Sequence, residues 1–168
     1  VSDTGTTFWD WALRAYAGEG VPSLCLELQD THGQNVPLVL FAVWAGVRGV
    51  ALDEQMVEAA VDISRAYADT VVVPLRSIRQ RMRVVVGDMD DAHREALRSR
   101  VKALEIEAER AQMEALAALI GAGSAEPEKT ARDNLLAVAR LWARVVPRNP
   151  LIAFCDALSE RGFLRYNP

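Results

Sequence analysis

Histidine and cysteine are scarce, two of each in 168 residues, and their scarcity removes whole classes of chemistry. His32 and His93 lie far apart, so no local set supplies the roughly three protein ligands that a catalytic metal needs. Cys25 and Cys155 each lie in an apolar run and form no CxxC pair, so each reads as a small buried hydrophobe rather than part of a disulfide or metal framework. The chain has neither a GxGxxG nor a Gly-Lys-Ser/Thr loop to cradle phosphate, and no serine stands in a GxSxG elbow. No metal or other cofactor is expected. Strand signals are also sparse: no Asn-Gly or Asp-Gly turn joins alternating runs, and Val71-Val72-Val73 sits inside a longer helical pattern. The longest apolar run, twelve uncharged residues from Val36 to Val47, falls short of the roughly 20 that a bilayer span needs. Val1–Thr7 lacks the basic start and apolar stretch of a leader, so the expected location is cytoplasmic. A net charge of −4 makes nucleic acid an unlikely partner and confines any basic surface to a local patch.

What remains is helical punctuation. Thr7 is placed to cap a first helix with Asp10 three residues on, and Phe8, Trp9, Ala12, Leu13 and Tyr16 share a face. Pro22 opens a second helix, in which Leu24, Leu28 and His32 recur at spacing four. Gly33 then supplies a left-handed stop, and Asn35 and Pro37 open a third helix that is apolar all round and belongs at the centre of a bundle. Asp53 caps a fourth segment with a seam through Met56, Ala60, Ile63, Tyr67, Val71, Leu75, Ile78 and Met82. Pro74 predicts a kink or break near Thr70–Val73. A long helix over about 90–120 carries a stripe of Leu97, Val101, Leu104, Ala108, Ala111, Ala115 and Ala118. A flexible loop over 121–127 precedes a helix with Leu135, Val138, Leu141, Trp142 and Val145 inward, and Asn149-Pro150 reads as the cap and first turn of a last helix.

Three constellations are candidates for chemistry. Asp30 and His32 lie two residues apart, about 200° round a helix, so they cannot pair there unless the helix has unwound; a junction between two helices explains the polar run better. Arg76, Arg79 and Arg83 are spaced to share one helical stripe, which either binds an anion or an acidic partner or pairs internally with Glu105, Glu107, Glu109 and Glu114 of the next helix. Trp9 and Trp11 point to different sides of the first helix, so one of them reaches an edge while the other aromatics serve the core.

The stretches FWDWALRAYAGEGV, CLELQDTHGQNVPLVLFAVW and VVVPLRSIRQRMR resemble a family of small proteobacterial helical proteins of unknown function, over residues 8–83. The resemblance implies a helical fold and a bacterial cytoplasmic origin, transfers no activity, and adds weight to Gln29, Asp30, His32, Gly33 and Arg76.

The expected fold is therefore all-α: one domain over 1–168, a bundle of six to seven helices with an apolar central helix and a long helical hairpin over 53–120. The expected function is non-enzymatic protein binding, with self-association through the alanine-rich part of the stripe at 108–118. The alternative is a small anionic ligand at the junction 29–37, drawing on Gln29, Asp30, His32, Asn35, Arg76, Arg79 and Arg83.

Overall fold

A computed structural model describes residues 6–164, so most of the Val1–Thr7 segment read for a leader lies outside the described residues. Those residues form an all-helical bundle with no strand. The helices are α1 (Phe8–Tyr16), α2 (Val21–Leu26), α3 (Val36–Val47), α4 (Glu54–Tyr67), α5 (Val73–Arg81), α6 (Asp91–Ala117), α7 (Pro127–Trp142) and α8 (Arg148–Glu160). A π turn over Ala68–Val72 joins α4 to α5 in one rod, which leaves seven rods among the described residues. Pro74 explains that turn. It has no N–H for the Thr70 carbonyl, and widening the backbone by one residue, with Val73 N–H donating to Ala68 O, carries the rod past the proline without breaking it.

The apolar α3 is the core element: every residue from Pro37 to Val47 is buried. Its most extensive partner is α7, and Gly46 makes the approach possible, because a Cβ there would overlap the backbone of Ala131. From the other side Phe8 of α1 stacks on Trp44 at 5.0 Å between ring centroids and meets Phe41 edge-on at 6.1 Å. Asn134 of α7 is the polar pin of this core. Its amide donates to Val50 O at 2.9 Å and Ala42 O at 3.3 Å, and its oxygen accepts from Leu52 N–H at 2.9 Å, so the turn leaving α3 is satisfied by one side chain.

Several helix faces are rotated from their expected positions. In α1 the buried set is Phe8, Trp11, Ala12 and Ala15, while Leu13 and Tyr16 are exposed. In α4 Val57, Ala60, Val61 and Ser64 are buried, so the seam runs about one residue later than Met56 and Ile63 suggest, and Ile78 of α5 is exposed. In α6 the inward line is Arg94, Glu105, Gln112, Met113 and Leu116, while Leu97 and Leu104 stand outside. Leu141 is exposed in the last turn of α7, and Val145, beyond its end at Trp142, is exposed as well. The last helix starts at Arg148 behind Pro147, so Asn149 lies inside the first turn rather than capping it. The loop over 121–126 is tied at two points, by Gly123 N–H to Arg48 O and Ala125 N–H to Gly49 O, both 2.9 Å.

Candidate functional site

The polar run that begins at Gln29 is a helix junction. Beyond Leu26 the backbone widens into a π turn over Glu27–Thr31, and Gly33 reverses it at φ 62°. Gly33 N–H bonds Gln29 O at 3.1 Å and Gln34 N–H bonds Leu28 O at 2.8 Å, which closes the outgoing end. Asn35 opens the next: its side-chain oxygen accepts from Leu38 N–H at 3.0 Å. Asp30 is held by the Gln29 amide at 3.0 Å, whereas His32 Nε2 lies 3.8 Å from the Glu27 carboxylate, so the two do not form a catalytic pair. His93 is fully displayed on α6 next to Asp90, and among the described residues no group of His, Cys, Asp and Glu is arranged to hold a metal.

Two of the three arginines come together. Arg76 Nε donates to Glu105 at 2.8 Å and its Nη2 to Glu109 at 2.9 Å, while Arg79 Nε donates to the other Glu105 oxygen at 2.6 Å. Internal pairing is thus what the structure displays for Arg76 and Arg79. Arg83 lies past the end of α5, exposed and apart from the cluster. Burial pushes the Glu105 carboxyl up, but the bonds from Arg79 and Arg76 outweigh it and hold the group below the usual carboxylate range. Glu109 has the opposite balance: loss of solvent outweighs the attraction of Arg76, and its carboxyl is raised. The same burial pushes the Cys25 thiol up to about 12 and Cys155 to about 11, so neither is a ready nucleophile.

Between the junction and α6 lies a cleft of about 200 Å³, walled by Gln29, Asn35, Arg76, Glu109, Gln112 and Trp142. It shares Gln29, Val36, Pro37 and Glu109 with a larger apolar groove of about 430 Å³ that runs under α1 past Trp9, Tyr16, Leu40, Ile106 and Met113. Trp142 is fixed as a wall because its indole N–H donates to Gly33 O at 2.9 Å and the Arg65 guanidinium lies over its ring at 4.8 Å. Trp9 carries Arg110 over its ring at 5.5 Å, which makes it the edge aromatic of the first helix while Trp11 is buried.

Gln112 is the residue that sequence reasoning missed. It is fully buried, and its amide N–H donates to Asn35 Oδ1 at 2.9 Å. Because Asn35 Oδ1 also accepts from Leu38 N–H, that atom must be oxygen, which fixes the orientation of the Gln112 amide and leaves its own oxygen without a donor. The signal was present: Glu105, Glu109 and Gln112 recur at helical spacing, but an apolar periodicity search follows the neighbouring leucine and alanine stripe instead.

The family designated Protein of unknown function (DUF2390) matches residues 7–116, and the chain belongs to it. No curated protein and no solved structure matches the chain. The matched span ends at Leu116, so it takes in the junction, both arginines, both glutamates and Gln112, whereas Trp142 comes from outside it.

Proposed function

We propose, for a member of a family that carries no assigned activity, that this protein is a non-enzymatic binding module whose ligand occupies the cleft between the α2–α3 junction and α6. The observation that carries the reading is the unpartnered oxygen of fully buried Gln112 in the wall of that cleft. A buried acceptor left without a donor costs about 1–3 kcal/mol, and an incoming ligand that supplies the donor recovers it. The cleft and the apolar groove beside it suit a small amphipathic molecule, since such sites combine an apolar lining with a few fixed polar groups. An enzymatic reading finds no support in the groups at hand, because the thiols are buried with raised pKa values and Asp30 and His32 have separate partners.

Fragment screening by ligand-observed NMR, with neutral, anionic and cationic small molecules, tests the reading. Binders should shift the amides of Val36 and Gln112 and lose affinity in Gln112→Leu. If every binder maps elsewhere on the surface, the reading fails.

A protein partner is the second reading, favoured by Leu97 and Leu104, which are 45% and 51% exposed on one flank of α6. Ala108, Ala111 and Ala115 on the same stripe are half-buried against the bundle, so a contact along it would centre on the two leucines rather than on the alanines. Sedimentation at micromolar concentration should show a dimer that Leu104→Glu abolishes; a monomer at all concentrations removes self-association.

A further inference from the structure

The cleft's hydrogen-bonding groups are unevenly spent, and the imbalance names the kind of head group it takes. Several of its donor groups are already engaged, although each amide and the guanidinium keep further N–H groups. The Gln112 amide N–H goes to Asn35, the Gln29 amide to Asp30, the Trp142 indole to Gly33 O, and Arg76 to Glu105 and Glu109. At the start of α3 Leu38 N–H is taken by Asn35 and Pro37 has no N–H, which leaves Val36 N–H of the first three positions. The cleft atom that is buried without any partner is an acceptor, the Gln112 oxygen, and beside it stand the Gln29 oxygen and the Glu109 carboxylate, which accepts one bond from Arg76 and has lone pairs to spare. Glu109 and Gln112 are three residues apart on one helix face, so their side chains approach the same point.

We infer, building on the ligand-binding reading above, that the cleft takes a primary ammonium on an apolar chain, its N–H groups donating to Gln112 Oε1 and the Glu109 carboxylate while the chain lies in the groove past Pro37, Leu40 and Met113. The charges agree with this. Arg76 and Arg79 are matched by Glu105 and Glu109, so the cluster is neutral and sets no excess positive charge against a cation, and Lys102 stands at the groove rather than in the cleft. An ammonium has three donors and no acceptor, which is the complement of three acceptors of which one is a carboxylate. The raised pKa of Glu109 fits a carboxylate short of solvation that a cation would supply.

The test compares three six-carbon probes on the full chain: hexylammonium, 1-hexanol and hexanoate, followed by amide-detected NMR titration. Hexylammonium should bind tightest and shift the Gln112 side-chain NH₂. Affinity should rise about three- to fourfold per methylene from butyl to hexyl, the value of burying each in the groove. Glu109→Gln and Gln112→Leu should each weaken binding at least tenfold, with circular dichroism confirming the fold, while the exposed-face control Glu107→Gln leaves it unchanged. If hexanol or hexanoate binds at Gln112 as tightly as the amine, the ammonium assignment is overturned and the binding cleft stands. If none of the three perturbs the cleft, both fall. Equal weakening by Glu107→Gln would expose the amine effect as general surface charge and overturn the assignment.

Discussion

Replacing Glu105 by glutamine tests the electrostatic organisation of the hairpin at its centre. The side chain is 7% exposed and accepts from Arg76 Nε on one oxygen and from Arg79 Nε on the other, so two guanidinium groups share one carboxylate. Removing the charge leaves both arginines to Glu109. Breaking a buried pair in this way costs about 3–5 kcal/mol, and since Arg76 and Arg79 keep 21% and 24% of their surface in water, roughly 2–4 kcal/mol is expected here. For a chain of this size that lowers Tm by roughly 5–15 °C. The companion Glu109→Gln should stay within about 1 kcal/mol of the parent, because the desolvation that raises its carboxyl offsets most of its single bond to Arg76. The two carboxyls also have opposite pH signs. Glu105 titrates below the usual range in the folded state, so its stabilisation is present above the unfolded value and is lost as pH falls through the folded one. Glu109 is raised, so it withdraws stability as pH rises from the unfolded value through the folded one. Thermal melts followed by circular dichroism at pH 7 and in steps toward pH 3 should show the Glu105→Gln deficit shrinking with acid. A deficit under about 0.5 kcal/mol at neutral pH, or one that stays constant down the series, refutes the assignment.

Three further substitutions or treatments probe the core. Gly46→Ala forces α3 and α7 apart at Ala131 and should cost about 3 kcal/mol in urea unfolding, with the m-value unchanged. Asn134→Ala strips the bonds to Ala42 O, Val50 O and Leu52 N–H and should cost about 2–4 kcal/mol by the same assay. Cys25 and Cys155, both buried with pKa values near 12 and 11, should resist a thiol reagent at pH 8 in the native protein and react at once in denaturant; rapid native labelling would show that the α2 and α8 sites open readily.

Signals carried by backbone need were legible from residue type alone. Asn35 and Gly33 do what their chemistry demands at the ends of two helices, and Pro74 forces a backbone adjustment within two residues of where it was expected. Signals carried by side-chain periodicity were less secure, because apolar residues occur on more than one face of α1, α4 and α6, and a stripe of leucine and alanine is not necessarily the stripe that faces inward. In α6 the inward line carries Glu105 and Gln112 ahead of Met113 and Leu116, and Arg76, Arg79 and Asn35 arrive from other elements to pair with the Glu105 carboxylate and the Gln112 amide N–H. No window of the α6 sequence contains that information. The compensating residues lie roughly 30 to 80 positions away, with separations of 29, 26 and 77.

The same reasoning explains why the candidate site was half visible. Gln29, Asn35 and Arg76 stood out as members of local patterns, whereas Glu109 was seen as a salt-bridge partner and Gln112 was not seen at all. What distinguishes Gln112 is the orientation of its amide, and that depends on a chain of three assignments: Leu38 N–H fixes the Asn35 oxygen, the Asn35 oxygen fixes the Gln112 nitrogen, and the Gln112 oxygen is left over. A single substitution separates this chain from coincidence. Asn35→Asp keeps the cap and keeps an acceptor for Gln112, so the glutamine oxygen should remain unpaired, and the carboxylate it adds to the wall should hold an ammonium at least as well. Asn35→Ser keeps a shorter cap but gives up the reach to α6, so nothing any longer fixes which way the Gln112 amide faces. If the ligand site depends on the stranded oxygen, the aspartate variant retains binding and the serine variant loses it at nearly unchanged helix content.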